Sequence, residues 1–345
     1  MLARSTARRF TPRPFLKSMS RNITTQADLQ NRDEFKVPDI EVICYKQGER
    51  HRQIIPVVNG NSDRSPRTPH QRPAVAFDRS IVGQMTPTLQ RTTLQDKIAV
   101  VTGGARGLGF NMAQGLIEAG VSGLALMDVQ QETGDNAAET LAAQTGIDVH
   151  FYKLDVRDAD AVNEAVQDTV SRFGRIDVLI NSAGIADSNI RAEKYDAEMF
   201  RRLIDINLTG NFLVAQAVAR EMIATKSGGS MIFIASMSAS IVNYPQQQCA
   251  YNASKAGVIQ LMRSLAAEWA MHKIRVNSIS PGYMDTPLTA VPGLDAQKSV
   301  WIDHTPQKRL GAVDELNGLA LFMASDASSY MTGSNVVIDG GYTVW

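Results

Sequence analysis

A chain of 345 residues with 35 basic and 35 acidic side chains is formally neutral, which gives nucleic acid no general electrostatic reason to bind. At 44% hydrophobic it can build a full core, yet no apolar run approaches the ~20 residues of a membrane span. Two cysteines, Cys44 and Cys249, exclude a disulfide framework; together with five histidines they show no metal-ligand spacing, so no catalytic metal is expected.

The neutrality hides an asymmetry. Residues 1–27 carry six basic residues (Arg4, Arg8, Arg9, Arg13, Lys17, Arg21) and no acid, leaving 29 basic against 35 acidic in the rest. An Arg-, Ser- and Thr-rich opening with no acid before Asp28 reads as a mitochondrial transit peptide. A basic tail on a cytoplasmic protein is the other reading. Residues 28–90 are rich in Pro, Arg, Gln and Asn and read as a low-order linker, apart from a strand-like run at 41–45. The folded domain is expected over 91–345.

Within that domain, residues 97–102 (KIAVVT) form an apolar, β-branched run that reads as a buried strand. It leads through Gly103, Arg106, Gly107, Leu108 and Gly109 into a helical stretch over 110–120. Glycines at a strand-to-helix turn let a pyrophosphate approach backbone N–H groups at the positive end of the helix dipole. A second strand (124–127) ends in Asp128, 19 residues after Gly109. An acid there accepts hydrogen bonds from the adenosine ribose and repels a 2′-phosphate, so NAD is expected over NADP. Arg106, inside the loop, is the dissenting residue. Further on, Tyr251 and Lys255 are four apart, on one face if helical. The ammonium then favours the phenolate, tuning a proton donor for a carbonyl oxygen or an acceptor for an alcohol proton.

The loop spacing is T-G-x-x-x-G-x-G rather than G-x-G-x-x-G, and with Tyr251-x-x-x-Lys255 the chain resembles the short-chain dehydrogenase/reductase family from about Leu94 to Trp345. That resemblance implies one doubly wound α/β (Rossmann) domain with a seven-stranded parallel sheet. It also implies roles. Asp155, ending a third strand, would hydrogen-bond adenine. Asn181, Ala183 and Gly184 match the family's N-N-A-G turn with one substitution. Asn207 matches the helix asparagine that holds a proton-relay water. Pro281, Gly282 and Thr286 follow a sixth strand, where the threonine meets the nicotinamide carboxamide. The family's usual spacing selects Ser238 as catalytic serine, but the strand-end serine is Ser236. The connecting loop is longer than the family norm and a strand end fixes geometry better, so Ser236 is chosen.

The loop from 237 to 249 joins Ser236 to Tyr251 and offers four amides, Asn243, Gln246, Gln247 and Gln248. Amides donate and accept, which suits a substrate bearing several hydroxyls; on a surface loop they would simply face water. Asn243 and Gln248, with Ser236 and Tyr251, are the expected substrate contacts. His304 is either an edge of that site or a surface residue. The loop sequence and the closing residues 339–345 are similar to the family's fungal polyol and ketose reductases, of the D-arabinitol 2-dehydrogenase, mannitol dehydrogenase and sorbose reductase type. The expected activity is therefore NAD-linked interconversion of a polyol and its ketose. Two alternatives stay open: a reductase of a less polar ketone (a secondary-metabolite or 3-oxoacyl substrate), and a nucleotide-binding scaffold without catalysis. Apolar positions on more than one face of the helices at 196–225 and 249–272, including Phe212, Val214, Val218, Val258, Leu261, Leu265 and Trp269, leave a face to cover. By resemblance the partner is a second copy, giving a homotetramer, with a homodimer as fallback.

Overall fold

The alternation of apolar runs and helix-forming stretches becomes alternating strands and helices in a computed structural model, which describes residues 40–46, 49–55, 72–286, 289 and 294–345, the first two ranges as backbone. The transit-peptide reading of residues 1–27 lies outside the described residues. Contacts divide the chain into two units, Met1–Pro66 and Arg67–Trp345. In the first, β1 (Ile40–Lys46), which contains the strand-like run at 41–45, pairs antiparallel with β2 (Glu49–Ile55).

The second unit begins earlier than expected. Arg72 pairs with Glu118 at 2.7 Å, and the backbone N–H of the buried Ala74 donates to Gln144 at 2.7 Å. The Phe77 ring lies so close to Gly120 that a Cβ there would come within 2.9 Å of it. A 3-10 turn over Arg79–Gln84 and the short α1 (Pro87–Gln90), capped by Thr86, complete the approach. The linker reading therefore fails for residues 72–90: two apolar anchors, Ala74 and Phe77, were enough to seat a segment whose composition is otherwise that of a linker.

The chain then runs β3 (Ile98–Thr102), α2 (Gly107–Glu118), β4 (Gly123–Asp128), α3 (Gln131–Thr145), β5 (Asp148–Lys153), α4 (Ala159–Phe173) and β6 (Val178–Asn181). After these come α5 (Ala197–Ile204), a π-helical segment (Asp205–Gly210), α6 (Asn211–Ala224), β7 (Gly229–Ile234), α7 (Cys249–Trp269) and β8 (Ile274–Pro281). The last elements are β9 (Met284–Asp285), α8 (Asp295–His304), β10 (Gly311–Ala312), α9 (Asn317–Ala324) and β11 (Asn335–Ile338). Seven strands form one parallel sheet in the order β11-β8-β7-β6-β3-β4-β5.

Both faces of that sheet are covered, which is why its strands read as unbroken apolar runs rather than alternating ones. Val101, Leu124, Leu126 and Ile180 face one core with Met112 and Leu116 of α2. Their neighbours Val100, Ala125 and Leu179 face the other, with Val214 and Val218 of α6 and Val258 of α7. The strand order reverses at β3, with β4 on one side and β6 on the other. In open parallel sheets ligands bind at the carboxyl edge beside such a switch point. Of the apolar helix residues expected to need a partner, Val214, Val218, Val258 and Leu265 are consumed by the chain's own core. Only Phe212, Leu261 and Trp269 remain partly exposed.

Candidate active site

The loop between β3 and α2 has the shape a dinucleotide phosphate needs. Gly103 and Gly107 both sit at φ +62°, a backbone conformation that side chains disfavour. A Cβ at Gly107 would meet nothing within 4 Å, so the helix N-terminus is open to a ligand there. At Gly109 a Cβ would lie 2.2 Å from the Gly103 carbonyl, because the helix folds tightly back on the strand end. Arg106 is exposed at the helix start, and Leu108 is half-buried against the core.

Asp128, at the end of β4, does more than wait for a ribose. Its carboxylate accepts from the Ala105 N–H at 3.3 Å and from the Gln130 N–H at 3.1 Å, bracing the glycine loop. Asp155 lies just beyond β5, which ends two residues before it. The Arg157 guanidinium grips it at 2.5–3.1 Å and holds its carboxyl below the usual range. Asn181 differs from expectation. It is buried, its carbonyl accepting from Thr102 at 3.0 Å and its amide donating to the Asn211 carbonyl at 2.8 Å, so it ties strands to helix rather than reaching a ligand. The Thr102 hydroxyl also accepts from the N–H groups of Ser182 and Ala183, fixing that turn. At the sixth strand's end, a Cβ on Gly282 would come 2.6 Å from the Asp339 Cα, so Pro281-Gly282 is pressed against the residue after β11. The Thr286 N–H donates to the Thr289 hydroxyl at 2.9 Å.

The proton-handling residues converge. Tyr251 and Lys255 share a face of α7, with Lys255 Nζ 5.7 Å from the Tyr251 ring centroid. The Lys255 ammonium is buried and donates to the Ile234 carbonyl at 2.7 Å. A Cβ on Gly184 would lie 3.5 Å from Nζ and 3.2 Å from Asn207 Oδ1, so this turn forms the roof over both. Asn207 sits in the π-helical segment, a local distortion common at functional sites. Its Oδ1 accepts from the Ile185 N–H at 2.8 Å, and its Nδ2 donates to the Ile185 carbonyl at 2.9 Å and to the Ser254 hydroxyl at 3.1 Å.

The electrostatic balance also differs from expectation. Burial pushes the Tyr251 phenol up, and the counteracting influence is a hydrogen bond from Ser236 rather than the lysine. Burial equally pulls the Lys255 ammonium down, to about 8. Desolvation acts on both groups of the pair, and a charge placed over a ring does less for the phenolate than a hydroxyl in contact with it. Ser236 is the serine that opposes the upward push on the Tyr251 phenol, while the Ser238 hydroxyl accepts from Gln248 at 3.3 Å.

Asn243 and Gln248 are buried and bonded within the protein, contrary to the expectation that they face substrate. Gln248 Nε2 donates to Asn243 Oδ1 at 3.0 Å, and Asn243 Nδ2 donates to the Tyr283 hydroxyl at 3.0 Å. In a loop this tightly folded, the amides are needed to satisfy one another. His304 is exposed, its Nδ1 2.8 Å from the Val300 carbonyl. Residues not foreseen are Thr102, Ser254, Asn211 and Tyr283. Asn211 was legible in principle, one helical turn after Asn207; Tyr283 had no sequence signal beyond its place after Pro281-Gly282. Among the described residues no His, Cys, Asp or Glu cluster is placed to hold a metal, and no helix is long and apolar enough to cross a membrane.

An open glycine loop at a helix start, an acid at the next strand end and a Ser-Tyr-Lys cluster at the same sheet edge together fit a nicotinamide dinucleotide. Residues 103–343 match the family model described as enoyl-(acyl carrier protein) reductase. The chain belongs to the short-chain dehydrogenase/reductase family, as an oxidoreductase acting on CH–OH groups. It is 41% identical over 267 residues to D-arabinitol 2-dehydrogenase [ribulose-forming] of Scheffersomyces stipitis, covering 73% of this chain and 95% of that protein. It is 40% identical to the NADP-dependent mannitol dehydrogenase of Hypocrea jecorina, covering 75% and 98%. Among solved structures, NAD+-bound xylitol dehydrogenase aligns with a TM-score of 0.67 at 33% identity, covering 72% of this chain and 99% of that one.

Proposed function

We propose that this protein interconverts a secondary alcohol of a D-arabinitol-like polyol and the corresponding ketose, using NAD in preference to NADP. The observation that carries the chemistry is the cluster of Ser236, Tyr251 and Lys255 beside the glycine loop. The relatives named for arabinitol, mannitol and xylitol support the substrate class. Gly103, Gly107 and Gly109 would hold the pyrophosphate, Asp128 the adenosine ribose, Asp155 the adenine side and Lys255 the nicotinamide ribose. The bound nicotinamide supplies or accepts the hydride. Tyr251, its proton held firmly by burial, donates to the ketone oxygen in reduction and takes the alcohol proton in oxidation. Ser236 stabilises the phenolate and orients the substrate oxygen, and Asn207 fixes the Ile185 backbone above Lys255 for a relay to solvent. A panel of pentitols and hexitols with NAD or NADP, read as reduced-nicotinamide absorbance, tests this. Turnover of simple aromatic or 3-oxoacyl ketones with no polyol oxidation would overturn the substrate class.

Asp128 makes the cofactor choice measurable. Asp128→Ala removes the ribose acceptor and the charge opposing a 2′-phosphate. The NAD-to-NADP ratio of kcat/KM should fall roughly tenfold, equivalent to ~1.4 kcal/mol. Because Asp128 also braces Ala105, NAD binding should weaken in absolute terms too. A wild type working better with NADP would give the decisive role to Arg106.

Residues 1–27 are proposed as a mitochondrial targeting segment and the folded unit as a homotetramer, with a dimer as the smaller alternative. The partly exposed Phe212, Leu261 and Trp269 support a self-association surface. Protein lacking residues 1–27 should be cytosolic in cells, fully active, and tetrameric by light scattering. Diffuse cytosolic full-length protein, or an active monomer, would each refute its part.

A further inference from the structure

Two arms of the chain meet at the reacting oxygen, and a hydrogen-bonded path leads from both to one phenol remote from them. On the serine arm, the Ser238 N–H donates to Ser236 Oγ at 3.1 Å, and Ser238 Oγ accepts from Gln248 Nε2 at 3.3 Å. On the tyrosine arm, Gln248 stands at the N-cap position of α7 and its Nε2 reaches Asn252 Oδ1, beside Tyr251, at 2.9 Å, its two hydrogens shared among Asn252, Asn243 and the more distant Ser238. Gln248 passes both arms to Asn243, and Asn243 to the Tyr283 hydroxyl.

Tyr283 is a fixed point. Its ring stacks on Trp301 of α8 at 4.2 Å and 5°, and meets Tyr342 edge-on at 5.1 Å. Gln246 closes a triangle, donating to the Tyr283 hydroxyl at 2.8 Å and accepting from Trp301 Nε1 at 3.0 Å. Ser238, Asn243, Gln246, Gln248 and Trp301 are all buried, so water cannot replace a lost partner cheaply.

We infer that Tyr283 is a positioning residue: its hydroxyl anchors the amides of the 238–248 loop and thereby sets Ser236 against Tyr251. This rests on the reading above that Ser236 and Tyr251 handle the proton. Ser236 lies two residues beyond the end of β7, where it caps the turn at 237–239, so the strand fixes its approach and the loop's internal hydrogen bonds fix the turn it caps. Asn243, Gln246 and Gln248 are engaged in those bonds, which leaves Gln247 the exposed amide of the loop.

The test is Tyr283→Phe, which keeps the ring stack and removes the acceptor of two amide donors. Kinetics use the best secondary alcohol found for the wild type. kcat should fall ~10-fold or more, since small misplacements of reacting groups are costly. NADH affinity should stay within about twofold, because the ring, still held by Trp301 and Tyr342, keeps the neighbouring Pro281-Gly282 turn in place and the glycine loop lies on other elements. The discriminating readout is the ionisation of Tyr251, followed by NMR of carbon-labelled tyrosine with the Tyr251→Phe spectrum as the assignment control. Loosening Ser236 weakens the hydrogen bond that favours the phenolate, so the Tyr251 pKa should rise further. A purely structural role would lower the melting temperature and leave that ionisation unmoved. Asn243→Leu, which cuts the same path and spares Tyr283, Gln246 and Trp301, should shift Tyr251 in the same direction and serves if Tyr283→Phe does not fold. An unshifted Tyr251 in both variants overturns the inference, whatever the wild type oxidises. A wild type inert toward every polyol overturns the functional reading and leaves the ionisation measurement to decide this one.

Discussion

Tyr251→Phe is expected to lose ~10²–10⁴-fold in turnover, the usual contribution of a general acid–base group. NADH binding should be retained. The substitution leaves the ring and removes one oxygen, the atom that carries the proton. The groups assigned to the pyrophosphate and the adenosine ribose lie on the β3–α2 loop and at the end of β4, and Lys255, assigned to the nicotinamide ribose, is left intact. Steady-state kinetics and a fluorescence titration with NADH, on the same preparation, separate catalysis from binding. A variant retaining more than about a tenth of wild-type turnover would remove Tyr251 from the mechanism, since that is below the smallest effect such groups produce.

The parts of this site legible in sequence are those fixed by local geometry. Gly103 and Gly107 announce a strand-to-helix turn because side chains disfavour the backbone there, and Gly109 because a Cβ would strike the Gly103 carbonyl. Tyr251 and Lys255 announce a shared face because one helical turn separates them. Choosing Ser236 over Ser238 depended on locating the end of β7, and strand ends are readable where an apolar run stops. What sequence did not give depends on pairs distant along the chain. Tyr283, between β8 and β9, stacks on Trp301 of α8, and neither residue marks the other in sequence. Asn243 and Gln248 looked like substrate ligands because an amide carries no sign of which partner will claim it. Nor does the sequence show that the Asn181 side chain is claimed at both ends, by Thr102 and the Asn211 carbonyl. The segment at 72–90 shows the limit of composition as a guide, since its seating rests on a few contacts far apart in sequence, Phe77 over Gly120, Ala74 to Gln144 and Arg72 to Glu118.

Lys255 offers the second large effect, and one with opposite signs for activity and stability. Lys255→Met should abolish most turnover and weaken cofactor binding, because it removes the cation beside Tyr251 and the donor assigned to the nicotinamide ribose. The same change should raise the melting temperature at pH 7. The ammonium is buried with a single backbone partner, the Ile234 carbonyl, and burial lowers its pKa from 10.5 to about 8. A lysine whose folded pKa lies below its unfolded value binds its proton more weakly when folded, so the charge opposes folding. That cost, about 3 kcal/mol by linkage, is fully present below pH 8, where both states are protonated. It fades as pH rises from about 8 toward 10.5, where the folded state has released the proton and the unfolded state is releasing it. Methionine fills a similar volume without charge, and orphaning the Ile234 carbonyl returns ~1 kcal/mol of the gain. The variant should therefore be more stable than wild type by about 2 kcal/mol at pH 7, with the gap closing across that window. Chemical denaturation at pH 7, 8, 9 and ~10 measures it directly. A variant less stable than wild type at pH 7, or a gap that ignores pH, would mean that the ammonium is stabilised where it sits, and that the lysine is held for folding as well as for chemistry.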